Sequence, residues 1–258
     1  MKLPELVLIP EGEFVMGHES IGFSFTVYLD AFLIAKQQIT NEQFAEFAQK
    51  TGYQTDAERG GTGGVSGTGD VRGATWRSPR GGASTIQGKE RHPVVQVSWN
   101  DAQKYCAWLT RVAATQGERH TYRLPTEAEW EKAARGPRNT IFGYGDTFDA
   151  KKAWVGPDHA TTCPVGTFPP NGYGLYDMGG IVLEHCQDFY DPASYENKPP
   201  QRNPKGPPRG DPTHPRGADM HVRRGASFET NQGGPLFLMF GPASWSENTT
   251  GFRVAADA

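Results

Sequence analysis

The 258-residue sequence predicts a loop-rich α+β domain, and three observations carry that expectation. Glycine (32) and proline (20) are abundant, but they are dispersed among Trp, Phe and Tyr rather than gathered in a low-complexity tract. Several short runs alternate apolar and polar residues between turn signals, as half-buried strands do. Ser or Thr caps open three stretches of helical periodicity. A chain of this length can bury a substantial core as one domain spanning residues 1–258.

Leu6-Val-Leu-Ile-Pro10 and the stretch from Gly12 to Gly17 read as two short strands around a Pro-Glu-Gly turn. Phe23, Phe25, Val27 and Leu29 alternate with Ser24, Thr26 and Tyr28, a strand that Phe32 to Ile34 would continue. Thr40-Asn-Glu-Gln43 is a capping box opening a helix with Phe44, Phe47 and Ala48 on one face, ending near Gly52. Residues 60–88 form a Gly-rich insertion whose first ten residues offer almost no side chains to bury. Two roles stand open for it, a flexible insertion and a binding loop.

Val94-Val-Gln-Val97 reads as a short strand. Ser98 then caps a second helix carrying Ala102, Tyr105, Cys106, Leu109 and Val112 at helical spacing, which makes Cys106 a core thiol. The clearest local signal is Arg123 to Gly136, with Thr126 as N-cap, Glu129 at the third helical position and Gly136 as the stop. Glu127, Glu129 and Glu131 fall in its first turns, where the helix dipole favours acids, and read as structural. Residues 143–162 are irregular; Asp146, Asp149 and Asp158 lack the spacing of a calcium loop, and His159 reads as a surface residue. Residues 163–178 are rigid and turn-rich, and 199–216 form a Pro/Arg/Gly loop.

The formal net charge of −3 points to neither nucleic acid nor an anionic membrane. No apolar run approaches membrane length, and Met1-Lys-Leu-Pro-Glu5 lacks the apolar region of a signal peptide. Cys106, Cys163 and Cys186 are odd in number without CxxC spacing, which fits free thiols in a cytoplasmic protein; a Cys163–Cys186 bridge stays open. A monomer is the expected state.

Residues 224–254 set the functional question. Arg224-Gly-Ala-Ser and Gly251-Phe-Arg-Val254 look like framework, while the interval between them holds no Lys, Arg or Cys. Phe228, Glu229, Thr230, Asn231, Gln232, Leu236, Phe237, Met239, Phe240, Ser244, Trp245, Ser246, Glu247 and Asn248 give it a paratope-like mixture of aromatic and small polar residues. An exposed cluster of Phe237, Phe240 and Trp245 would form an interaction patch, with Leu183 and His185 at its border. The competing expectation is that residues 236–240 are one buried strand.

Taken in order, Ile9-Pro-Glu-Gly-Glu-Phe-Val-Met-Gly17, Ile39-Thr-Asn-Glu-Gln-Phe44, His92-Pro-Val-Val-Gln-Val-Ser-Trp-Asn-Asp-Ala102, Arg123-Leu-Pro-Thr-Glu-Ala-Glu-Trp130, Asn171-Gly-Tyr-Gly-Leu-Tyr-Asp-Met178 and the two C-terminal framework motifs resemble the formylglycine-generating enzyme/sulfatase-modifying-factor family. The resemblance implies a C-type-lectin-like fold, with small antiparallel sheets and two main helices. It also implies copper-dependent oxidation of a substrate cysteine by a cysteine pair lying between the framework motifs. This interval has no cysteine, so that activity is not carried over and no catalytic or metal residue is assigned. No cofactor is expected; structural calcium stays open, but the family's calcium-site Asn corresponds to Ile181, which has no side-chain oxygen. His185, at a family Trp position, is either a new metal ligand or base, or a hydrogen-bonded histidine.

Two functional expectations follow. In one, the chain is a non-catalytic binding protein for a protein or small-molecule ligand, resembling the family's diversity-generating-retroelement variable proteins, with its surface in residues 228–250. In the other, it is a divergent metal-dependent oxidase without the cysteine pair.

Overall fold

The computed structural model describes residues 2–156, 159–196, 198–213, 219–230 and 234–258. Its strands are, in chain order, β1 (Leu6–Ile9), β2 (Gly12–His18), β3 (Phe23–Leu29), β4 (Phe32–Ala35), β5 (Thr62–Val65), β6 (Gly69–Arg72), β7 (Leu183–Phe189), β8 (Gln201–Arg202), β9 (Met220–Arg224), β10 (Leu238–Pro242), β11 (Thr250–Gly251) and β12 (Ala255–Asp257). The helices are α1 (Asn41–Thr51), α2 (Asp56–Gly60), α3 (Trp99–Thr115) and α4 (Glu127–Arg135). Four small sheets result, with strand orders β1-β4-β12, β10-β9-β7-β11, β2-β3-β8 and β5-β6. This is the expected loop-rich α+β arrangement.

The helix starts follow from local chemistry. Thr40 with Gln43, Ser98 with Asp101 and Thr126 with Glu129 each form a reciprocal capping box, satisfying two backbone donors apiece. Thr55 with Glu58 adds a fourth at the short α2. Phe44, Phe47, Tyr105 and Trp108 bring α1 and α3 together in one aromatic core, joined by Trp76 and Phe252.

Three expectations are corrected. Phe32 to Ile34 does not prolong β3; it belongs to β4, in a different sheet. Val94 to Val97 is buried but is not a strand, because Gln96 sits at φ 58. Its side-chain amide donates to Gly64 O and Pro79 O, both at 2.7 Å, and holds that turn. The Gly-rich stretch carries the β5–β6 hairpin and does pack. A Cβ at Gly63 would meet Gln96 Oε1 at 2.3 Å, so the missing side chain permits the close approach.

Buried ion pairs fasten the C-terminal segment. Arg253 Nε and Nη2 donate to the two oxygens of Glu184 at 2.6 and 2.8 Å, and both residues are almost fully buried. Glu184 also accepts from Trp130 Nε1 at 2.7 Å and Gln38 Nε2 at 2.9 Å. Arg253 spends its remaining donors on the carbonyls of Ala35 and Tyr176. Arg224 lies against Glu127 at 3.2 Å and Glu131, and donates to Pro235 O at 2.8 Å. The carboxylates of α4 are therefore structural, through ion pairing more than through the helix dipole.

Removing one member of a buried pair leaves the other charge uncompensated. Arg253→Met is expected to lower stability by about 3–5 kcal/mol, read as a shift of the urea midpoint.

Candidate ligand-binding site

The interval between the framework arginines divides into walls of three separate cavities. Leu236, Phe237 and Leu238 line the first, of about 680 Å³, together with Ile21, Phe23, Ile141, Phe142, Tyr190 and Tyr195. Ser244, Trp245 and Ser246 line a second of about 550 Å³, facing Asp56 and Asp70. Phe228 and Asn248 line a third of about 290 Å³, with Arg80 and Lys89. Phe237 lines the first cavity and Trp245 the second, so the expected patch of Phe237, Phe240 and Trp245 is divided between two cavities.

Residues 236–240 are not a wholly buried strand either. β10 pairs with β9 at the outer position of its sheet, in the register Met239↔Arg223 and Phe240↔Val222. Phe237 is 38% exposed and Met239 39%. Phe240 stacks on Tyr190 at 3.7 Å between ring centroids and so backs the cavity of about 680 Å³. A Cβ at Gly241 would meet Arg223 Nη2 at 2.6 Å and Trp245 Cε3 at 2.8 Å, so the missing side chain leaves room for both. Arg223 packs over the Trp245 ring at 4.9 Å, pairs loosely with Glu247 at 3.7 Å and is pushed down to about 10 by burial.

Several proposed contact residues act inside the protein. Phe228, Ser246 and Asn248 are buried. Glu229 bridges Arg80 of the Gly-rich insertion at 2.8 Å and accepts from Asn248 Nδ2 at 3.3 Å. Thr230 donates to Ser227 O at 2.8 Å. Asn231 and Gln232 lie outside the described residues.

Leu183 and His185 do not border the surface. They sit on β7, an interior strand between β9 and β11, and are 4% and 1% exposed. His185 Nε2 donates to Val97 O at 3.0 Å. Burial and the nearby Arg223 hold its pKa well below the usual histidine value. Among the described residues no group of three or more His, Cys, Asp or Glu is arranged to hold a metal ion.

The opposite wall of the first cavity is not legible in the sequence. Phe23, Ile141, Phe142, Tyr190 and Tyr195 come from three distant stretches, and pairwise spacing carries no sign that they meet. Tyr195 also walls a fourth cavity, of about 370 Å³, which contains Glu127 and Asp188. Its hydroxyl donates to Glu127 Oε2 at 2.8 Å. Burial pushes the Glu127 carboxyl up to about 7, against the pull of Arg224.

The sulfatase-modifying factor enzyme 1-like domain matches residues 1–258. The chain belongs to this family. It is 36% identical over 236 residues to the formylglycine-generating enzyme of Streptomyces coelicolor, covering 75% of this chain and 71% of that protein. It is 35% identical over 231 residues to the inactive C-alpha-formylglycine-generating enzyme 2 of Mus musculus, with 75% and 71% covered. Among solved structures, PvdO from Pseudomonas aeruginosa superposes with a TM-score of 0.72 at 25% identity, covering 99% of this chain and 95% of that one. Treponema denticola variable protein 1 gives a TM-score of 0.72 at 20% identity, with 98% and 95% covered. The fold is thus the C-type-lectin-like one of the formylglycine-generating-enzyme type.

The family's copper chemistry does not fit these residues. No cysteine lies between Phe228 and Thr250. Cys106, Cys163 and Cys186 are free and buried in three different apolar clusters, so the Cys163–Cys186 bridge is not made. Burial pushes the Cys106 and Cys163 thiols up to about 12 and Cys186 well above its ordinary value, far from thiolate ligands. At Ile181 a hydrocarbon side chain packs with Val95, Cys163 and Val182 and offers a calcium ion no oxygen. Its backbone nevertheless stands at φ 69, a left-handed conformation that Asn tolerates and a β-branched residue resists.

Two pH predictions follow. His185 is expected to stay neutral, with ring NMR shifts that do not titrate between pH 5 and 8. Glu127 has a folded pKa of about 7 against an ordinary 4.5, so the folded state binds the extra proton between those values. Its contribution is full below about pH 4.5 and is lost as pH rises through about 7. Asp101 and Asp177, pushed up to about 6 by burial, act in the same direction. Glu127→Gln is expected to flatten the slope of urea stability between pH 5 and 7.5.

Proposed function

We propose that this chain is a non-catalytic ligand-binding protein on the formylglycine-generating-enzyme scaffold, with its ligand seated against the first half of the C-terminal interval. One observation carries the reading. Between two buried arginine anchors, the interval presents Phe237, exposed and immediately before the outer strand β10, at an aromatic-walled cavity of about 680 Å³, and it holds no cysteine. Concave, mainly apolar cavities with few polar groups are where small ligands bind.

A more specific form of the proposal is that the interval is a variable region; the Treponema denticola neighbour is named a variable protein. In such a region, substitutions are tolerated where side chains reach solvent. Phe237, Met239 and Ser244 are exposed, and Leu236, Phe240 and Trp245 are partly so. Phe228, Ser246, Asn248 and Thr250 are core and must stay.

Two experiments test this. Sequencing codons 220–254 across a population of the source is expected to place variation at the exposed positions and to leave Arg224, Phe228 and Arg253 invariant. A wholly invariant segment contradicts the variable-region form. Incubation with copper and a cysteine-bearing peptide in air is expected to yield no formylglycine by mass spectrometry. Aldehyde formation contradicts the non-catalytic reading.

A further inference from the structure

The composition of the cavity beside Phe237 is unusual in two respects. Five aromatic rings line it, those of Phe23, Phe142, Tyr190, Tyr195 and Phe237. Among the described residues its only charged lining group is the carboxylate of Asp146, and no Lys, Arg or His lines it. A purely apolar ligand would need no carboxylate, and an anionic ligand would be repelled by it. Aromatic faces carry negative quadrupole potential and attract a cation, as a nearby carboxylate does.

Four of the five rings are fixed by contacts within the protein. Phe23 packs on Tyr195 at 4.8 Å between centroids, and Tyr190 is stacked on Phe240 at 3.7 Å. The Tyr195 hydroxyl is committed to Glu127, so that residue contributes its ring. Phe142 packs against Phe148 at 5.7 Å. Asp146 Oδ1 accepts the Ile141 amide at 2.9 Å, which holds the carboxylate next to Ile141 and Phe142. The aromatic walls are therefore set by packing within the protein.

We infer that this cavity binds a small organic cation, an ammonium group carried on an apolar body, held among the five rings and neutralised by Asp146. The inference rests on the ligand-binding reading above and names the chemistry of the ligand. A guanidinium or alkylammonium ligand would use the same two elements. Phe237 is the ring supplied by the C-terminal interval, so a change there alters the cage while Phe23, Tyr190 and Tyr195 persist.

The test uses the full chain and a pair of probes of equal shape, choline and its neutral isostere 3,3-dimethylbutan-1-ol, titrated by calorimetry. Choline is expected to bind at least about fivefold more tightly than the alcohol, the scale of a cation–aromatic contribution. Phe237→Leu and Asp146→Asn are each expected to weaken choline about threefold or more, within the range of such contacts. Asp146→Asn keeps the acceptor for the Ile141 amide and should leave the alcohol unaffected. Circular dichroism of both variants checks that they remain folded. Equal binding of the two probes, no binding of choline, or choline affinity untouched in both variants overturns the cation assignment. Tighter binding of the alcohol in this cavity also overturns it but leaves a binding function standing, whereas formylglycine formation removes the binding reading itself.

Discussion

The Glu184 carboxylate is the interaction on which the rest of this structure depends. It accepts hydrogen bonds from Arg253, Trp130 and Gln38 within 2.9 Å, in a place almost closed to water. Each donor comes from a different part of the chain. Arg253 precedes β12, Trp130 lies on α4, Gln38 sits between β4 and α1, and Glu184 itself is on β7. A buried carboxylate with this many charge-assisted partners is tolerated because its lone pairs are used. A half-satisfied one would be severely unfavourable, so the four segments are held together or not at all.

Arg224 repeats the device at the other end of the C-terminal interval, through Glu127 and Glu131 of α4. With one end fixed to α4 and the other to Glu184 of β7, the interval between them is relieved of any duty to hold the fold at its exposed positions. The aromatic outer strand and its cavity occupy that freedom. The same arrangement keeps the framework arginines in place around an interval that holds no cysteine.

Much of the fold was legible because its signals are local. The capping boxes at Thr40, Ser98 and Thr126 involve residues three apart, and each was read directly. The family motifs are likewise contiguous. What was not legible depends on distant partners. β7 and β9 escape strand patterning because Glu184, His185, Arg223 and Arg224 are buried polar residues, which break the alternation that marks a strand. Val94 to Val97 has strand composition, yet the Gln96 side chain ties two segments of the insertion and bends the backbone. His185 was placed at the surface because its neighbours in sequence gave no sign that β7 lies between two other strands. In the candidate site, Phe237 was legible as an aromatic in the paratope-like interval between the framework motifs. Tyr190, Phe142 and Phe23 were not, since only the fold brings them to it.

The most direct test of the account is a deep mutational scan of residues 220–254, read by protease resistance of the displayed chain. The account predicts two intolerant blocks, Val222 to Phe228 and Ser246 to Val254, separated by tolerant positions at Phe237, Met239 and Ser244. Uniform tolerance across the segment, or intolerance at those three positions equal to that at Arg224 and Arg253, would contradict the division into a fixed framework and a free binding surface.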